Sequence, residues 1–171
     1  MSAATTHHEP AADRVRDGQR AKVYRAEDAW ALRLDAARRG AGQAVVANSR
    51  VLLPAELQFG TLDAAKAYAT ARLAPWDVPP VVLRERRGRT QAHWEEPGVI
   101  ALPQTQHGTP WAMRETVLLH ELAHHLAFFL DESSTHGPTY TRRMIALVTE
   151  ALGEEAALAL RVDYAEAGVR W

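Results

Sequence analysis

Two histidines and a glutamate within five residues are the part of the sequence best equipped for chemistry. They form the segment His120-Glu121-Leu122-Ala123-His124. Positions four apart lie on one face of an α-helix, so the imidazoles of His120 and His124 can both reach one metal ion. The carboxylate of Glu121 would then lie close enough to take a proton from a water molecule that the ion holds.

A helix must carry this segment, and the sequence predicts one from Pro110 to about Leu130. The hydroxyl of Thr109 can cap its N-terminus, and proline is favoured in a first helical turn. On the face away from the two histidines, apolar residues recur at helical spacing; they are Leu119, Leu122, Leu126 and Phe129. One helix can therefore bury one side and present a metal site on the other.

A catalytic zinc site uses three protein ligands and keeps one position for water, so a third donor is required. The chain has no cysteine, which leaves histidine, aspartate or glutamate. His136 is the preferred candidate, because the loop from Asp131 to His136 can extend about 18–20 Å. That is enough to double back over the helical rise of about 9 Å beyond His124. Carboxylates remain as alternatives, and Glu150 on the next predicted helix is the strongest of them; the others are Asp131, Glu132 and Glu154.

Four other polar residues flank these candidates. Tyr140 follows His136 by one helical turn, where it could hydrogen-bond a developing oxyanion, orient a ligand, or pack in the core. His125 points about 100° away from His124 and is expected to support or pack rather than bind the same ion. His93 and His107 are expected at the surface, with a position lining the cleft as the alternative.

The remaining pattern predicts an α+β fold, in which a small mixed or antiparallel sheet packs against the metal helix and further helices. We expect a disordered or loosely packed tail over 1–20 and one domain over 21–171. Predicted strands are Lys22–Arg25, a hairpin within Gln43–Leu53, and a meander of Val81–Arg86, Thr90–Trp94 and Val99–Leu102 with turns at 87–88 and 95–98. Predicted helices are Glu27–Arg39, Leu62–Leu73 capped by Thr61, one from Pro138 to near Gly153, and Glu154 to about Glu166.

The overall composition argues against several classes of partner. The net charge is −1, with 47% hydrophobic and 24% charged residues, which is ordinary for a soluble globular protein and gives no strong nucleic-acid or membrane signal. Met1–Arg20 contains no apolar signal segment, so a cytoplasmic location is expected. Four arginines in the first predicted strand of the meander and the segment after it are interpreted as a solvated hairpin face, with nucleic-acid contact as the alternative; they are Arg84, Arg86, Arg87 and Arg89.

The two motifs together resemble a known family. His120–His124, followed after eleven residues by His136-Gly137-Pro138-Thr139-Tyr140, is similar to a small bacterial family of HExxH metallohydrolases without an assigned substrate. More remotely it resembles the SprT-like minimal zincins. The resemblance implies a zincin-like fold with zinc on the three histidines and Glu121 as the base. The metzincin pattern fails, because Ala127 stands in place of its glycine and Leu130 in place of its third histidine.

These residues predict a zinc-dependent hydrolase, with a peptide or protein as substrate and a metallopeptidase mechanism in which Glu121 activates the zinc-bound water. The strand Val99–Leu102 is expected to be the sheet edge that pairs with an extended peptide. The alternative is a metal-stabilised binding or regulatory domain without turnover. A third hypothesis is a protease recruited to nucleic acid through the arginine hairpin.

Overall fold

The computed structural model describes residues 17–86, 91–103 and 110–171. Within these ranges the chain forms five α-helices, a two-stranded sheet and a three-stranded sheet, which confirms the α+β class. None of the described helices is both long and apolar enough to cross a lipid bilayer. In chain order the elements are α1 (Arg20–Arg39), β1 (Gln43–Val46), β2 (Ser49–Leu52), α2 (Leu62–Leu73), β3 (Val82–Arg86), β4 (His93–Glu95), β5 (Val99–Pro103), α3 (Glu115–Asp131), α4 (Pro138–Leu152) and α5 (Glu154–Glu166).

Helix α1 begins earlier than the sequence analysis predicted. The predicted strand Lys22–Arg25 is wrong, since these residues form the first turns of α1. The buried residues of the helix are spaced three or four apart from its start, so one continuous stripe faces the core; they are Val23, Ala26, Trp30, Leu34 and Ala37. The indole nitrogen of Trp30 donates to the carbonyl oxygen of Ala156 at 3.0 Å, which fastens α1 to α5.

The hairpin and the helix after it agree with the sequence predictions. Strands β1 and β2 are antiparallel, and Ala47 and Asn48 turn the chain between them with φ of 46° and 62°. Two positive φ values suit a tight hairpin turn, in which asparagine is favoured. At the start of α2, the hydroxyl of Thr61 accepts a hydrogen bond from the amide of Ala64 at 3.1 Å, as predicted for a cap.

The three-stranded sheet has the order β3-β5-β4, so the predicted meander is wrong. Strand β5 runs parallel to β3 and antiparallel to β4, which makes it the central strand and makes β4 an edge strand. The reason lies in the burial of β5: Ile100, Ala101 and Leu102 are all buried, and a continuous apolar run suits a strand with a neighbour on each side. The predicted turn at 87–88 lies outside the described residues.

The helix that carries the two histidines starts five residues later than predicted. Pro110–Met113 forms a single 3₁₀ turn, and α3 begins at Glu115. Arg114 stays extended between them because it bridges to Gln58, while the amide of Glu115 donates to Leu57 at 2.9 Å. The predicted cap Thr109 lies outside the described residues. From Thr116 to Ala127 nearly every side chain of α3 is buried, so this helix is the centre of the fold.

Candidate metal centre

Three histidines meet where α3 passes the start of α4. His120 and His124 lie on one face of α3, and His136 immediately precedes Gly137, the residue before α4. The Nε2 atom of His136 lies 3.1 Å from that of His124 and 3.4 Å from that of His120. Ligands at about 2.0–2.1 Å from a tetrahedral zinc ion stand about 3.3 Å apart. The three side chains are therefore buried and close enough to bind one metal ion.

The alternative third ligands do not join this cluster. Glu132, Glu150 and Glu154 are exposed. The carboxylate of Asp131 pairs instead with Arg143, with 2.7 Å between Oδ2 and Nε. His136 is instead the third member of the cluster, because the loop of residues 131–136 doubles back over the end of α3 as the sequence analysis predicted.

Two carboxylates contact the far side of the histidine rings. Oε2 of Glu27 lies 2.6 Å from Nδ1 of His120, and Oδ2 of Asp17 lies 2.6 Å from Nδ1 of His136. The second oxygen of Asp17 also accepts the backbone amide of His136 at 3.1 Å. A carboxylate at Nδ1 favours a proton there and leaves Nε2 with its lone pair. Asp17 and Glu27 therefore aim both Nε2 lone pairs into the cluster.

This arrangement fits a cation. Two Nε2 atoms with lone pairs at 3.4 Å repel each other unless a positive charge lies between them. A proton on His120 or a metal ion can supply that charge. His124 contributes a third imidazole nitrogen to the same cluster, and three nitrogens match the number of protein ligands at a metal site. The donor set of the chain thus suits a divalent ion that accepts imidazole nitrogen.

At two of the three histidines, His124 and His136, the pKa is lowered, which favours the neutral form that binds metal. Burial lowers the pKa of His124 well below its usual range, and the neighbouring His120 and His136 lower it further. Burial also lowers the pKa of His136, although Asp17 opposes that effect. For His120, burial lowers the pKa, but the charge and hydrogen bond of Glu27, together with the charge of Glu121, outweigh burial and the pKa rises. Since metal and proton compete for the same lone pair, His120 is the position where that competition is strongest.

Glu27 is the hub of a buried hydrogen-bond network. Besides His120, its carboxylate accepts the hydroxyl of Tyr164 at 2.6 Å and that of Tyr140 at 3.1 Å. Burial raises the pKa of Glu27, but the charge and hydrogen bond of His120 and the hydrogen bond of Tyr164 outweigh burial and lower it. The carboxylate is therefore ionised and fully used by its donors, which fixes the ring of His120.

Tyr140 lies behind His120 and away from the cleft. Its side chain is completely buried, and its hydroxyl oxygen is 2.6 Å from Nδ1 of His120. Of the three roles expected for Tyr140, this position favours orienting a ligand over contact with an oxyanion.

Glu121 lines a cleft of about 540 Å³ between α1, the start of α3 and the residues before β4. The wall beside Glu121 includes His120, Tyr24 and Ala92. Burial raises the pKa of Glu121, while the charge of His120 and a hydrogen bond from the backbone amide of Trp94 oppose the rise. A carboxylate with a raised pKa, next to the cluster and facing open space, is suited to accept and return a proton.

The other candidate histidines take no part in the cluster. His125 is fully buried and packs away from the site, where its Nε2 donates to the carbonyl of Pro79 at 2.8 Å and its Nδ1 accepts from the indole of Trp94 at 3.4 Å. His93 is exposed on β4. His107 lies outside the described residues.

The arginine face is only partly described. Arg84 on β3 places Nη2 2.7 Å and 2.9 Å from the carboxylate oxygens of Glu95 on β4. Its charge is thus paired within the sheet. Arg87 and Arg89 lie outside the described residues.

Sequence reasoning missed Asp17, Tyr24 and Glu27, three residues of the N-terminal region whose side chains contact the histidine rings. Asp17 falls in the segment 1–20 that was expected to be loose; residues 1–16 lie outside the described part. Glu27 did leave a signal, because it stands at helical spacing from Val23, Trp30 and Leu34. A carboxylate inside an apolar helical stripe needs a buried partner, and that partner is His120.

No protein-family model matches the chain, and comparisons with curated proteins and with solved structures find no match either.

Proposed function

We propose that this protein is a zinc-dependent hydrolase with a zincin-like arrangement, and that its substrate is a peptide or protein. The observation that supports this most directly is the convergence of three imidazole nitrogens beside a glutamate that faces a cleft. Among the described residues the cluster contains three histidines. Three protein ligands are typical of catalytic zinc sites, whereas structural sites are closed by four.

In this proposal each residue of the site has a separate role. A bound zinc ion would lower the pKa of a water molecule and polarise the carbonyl group of the substrate. Glu121 takes the proton of the water and later gives it to the leaving amine. Asp17 and Glu27 hold the rings of His136 and His120 in the orientation that the ion requires. The burial of all three histidines, each at most 8% exposed, keeps bulk water away from the site.

We expect an extended substrate to pair with the sheet, although not with the strand Val99–Leu102 that the sequence analysis predicted. Strand β5, which includes Val99–Leu102, is the central strand and has no free edge for a peptide. Among the described strands of this sheet, β3 and β4 are both edge strands, and β4 is the one next to the cleft, because Gln91 and Ala92 just before it line the cleft. An extended peptide would add to the free edge of β4 and lie across Glu121.

The decisive experiment separates zinc binding from turnover. Glu121→Gln is expected to bind zinc as the wild type does and to lose hydrolysis of a fluorogenic peptide library by about 10²–10⁴-fold, the usual contribution of a general base. Glu150→Gln, an exposed substitution of the same kind, is the matched control and should change neither property. His120→Ala should lose the metal itself. A Glu121→Gln protein with wild-type activity would refute the mechanism.

A metal-stabilised domain without turnover is the second candidate, and the depth of burial of the histidines is the observation in its favour. It predicts that zinc raises the stability of the wild type while no peptide is cleaved by either the wild type or Glu121→Gln.

A further inference from the structure

A second tyrosine lies against the histidine cluster, on the side of the cleft. The ring centroid of Tyr24 on α1 is 5.1 Å from the ring of His120 and 5.2 Å from the ring of His136. Unlike Tyr140, it is 39% exposed and lines the same cleft as Glu121. Its side chain therefore borders both the histidines and the space where a substrate would lie.

The position of Tyr24 is fixed from two directions. It precedes Glu27 by one helical turn, and the bond of Glu27 to His120 holds that face of α1 against the cluster. The guanidinium group of Arg20 lies over the ring of Tyr24, 5.6 Å from its centroid. A cation stacked on a tyrosine restrains the ring at an exposed site. Tyr24 is thus held against the cluster by the contacts of its ring.

The hydroxyl group of a tyrosine is protonated at neutral pH. A neutral phenol is a hydrogen-bond donor. By contrast the hydroxyl of Tyr140 is committed to Glu27 and His120 at the back of the site.

We infer that Tyr24 is a further catalytic residue, whose hydroxyl donates a hydrogen bond to the carbonyl oxygen of the substrate as negative charge develops on it. The inference rests on the proposed hydrolase function. In the reaction, the water oxygen bonds to the carbonyl carbon and its proton passes to Glu121, while the π electrons of the carbonyl move to oxygen. Tyr24 stabilises that oxygen and transfers no proton. When the carbon–nitrogen bond breaks, Glu121 returns the proton to the amine.

The first test is the kinetics of Tyr24→Phe. Phenylalanine keeps the ring against the two imidazoles, so folding and zinc affinity should stay unchanged. Loss of one oxyanion donor typically lowers kcat by about 10²–10³-fold. We expect a loss of this size in kcat with KM within about threefold, since the hydrogen bond forms chiefly in the transition state. Tyr68→Phe is the control, because the hydroxyl of Tyr68 bonds Glu115 at 2.5 Å and does not line the cleft.

The second test does not depend on turnover. An all-alanine phosphinic tetrapeptide carries a tetrahedral centre with oxygens where the oxyanion would be, and its binding to the zinc-loaded protein can be measured by calorimetry. Tyr24→Phe should weaken that binding by at least about tenfold relative to the wild type and Tyr68→Phe, as transition-state analogues report such contacts.

The outcomes distinguish this inference from the proposed function. Wild-type kcat and wild-type phosphinate affinity in Tyr24→Phe would overturn the inference and leave the hydrolase intact. Loss of zinc, or a change in KM alone, would show that Tyr24 only packs on the histidines and would also overturn it, as would a wild type that fails to bind the phosphinate. If no peptide is cleaved by the wild type, the hydrolase proposal fails, and the phosphinate comparison still decides whether Tyr24 reaches an oxygen at the cluster.

Discussion

Replacing Glu27 by glutamine removes one negative charge from behind His120 and leaves the shape of the side chain unchanged. In the native protein this carboxylate accepts from Nδ1 of His120 at 2.6 Å, from Tyr164 at 2.6 Å and from Tyr140 at 3.1 Å. The amide oxygen of glutamine can still accept from His120. Its nitrogen then faces the two hydroxyl groups, which can rotate to accept. The packing should therefore survive while the charge is lost.

The size of the effect on metal binding follows from that change. A hydrogen bond to an ionised carboxylate is roughly twice as strong as a neutral one, and it makes Nε2 of His120 a better donor to the ion. Removing such a partner typically costs about 10–100-fold in metal affinity, which corresponds to about 1.4–2.7 kcal/mol. We expect Glu27→Gln to lose zinc affinity within this range. Glu27→Ala should also lose stability, by about 3 kcal/mol or more, because it strands several buried donors.

Competition against a chromophoric zinc chelator at neutral pH measures this directly. Glu150→Gln is the matched control, since it changes the same functional group at an exposed position of α4. Circular dichroism and urea unfolding of the metal-free proteins check that Glu27→Gln remains folded. A folded Glu27→Gln protein with the zinc affinity of the Glu150→Gln control would refute the role assigned to this carboxylate.

Two further predictions concern stability. Gly98 has φ of 138°, and an added Cβ would stand 3.1 Å from Cε1 of His125, a ring held by two hydrogen bonds. Gly98→Ala should therefore lower the free energy of unfolding, measured in urea, by about 2 kcal/mol. Gly60→Ala is the control: nothing lies within 4 Å of its added Cβ, so it should lower the free energy of unfolding by less than about 0.5 kcal/mol. Equal midpoints for the two variants would contradict this. The hydrogen bond and charge of Arg84 lower the pKa of Glu95, so their pairing stabilises the fold above the ordinary glutamate pKa and is lost as pH falls through the lowered value. Since the side chain of Glu95 is 34% exposed, Arg84→Met should cost only about 0.5 kcal/mol at pH 7. The difference from the wild type should shrink as pH falls below the ordinary glutamate pKa, and a difference that stays constant over this acidic range would show another cause.

The sequence predicted those parts of the fold that depend on local pattern. The cap at Thr61, the turn at Asn48 and the helical spacing of His120 and His124 are all readable within a few residues. Strand order was not readable in this way. The parallel pairing of β3 with β5 depends on which strand has neighbours on both sides, and the apolar run at Ile100–Leu102 was the only hint of it.

In the candidate site, too, the residues that could be predicted are those whose position depends on nearby sequence. His136 could be placed because the loop length between it and His124 limits where it can lie. Glu27 and Asp17 could not, since their partners are 93 and 119 residues away in the sequence. The predicted start of α3 was wrong for a similar reason. The bridge between Arg114 and Gln58 keeps the chain extended where local propensity favoured a helix.

The distance in sequence between Asp17 and His136 would have a consequence for how the proposed site acquires a metal ion. The carboxylate partners come from the first helix region, while the imidazoles come from the second half of the chain. No contiguous fragment of the second half contains the complete arrangement, so closing a loop of this length must precede capture of the ion at full affinity. Ion uptake would then occur late, after the tertiary structure has assembled, and would tighten the attachment of the first helix to the rest of the protein.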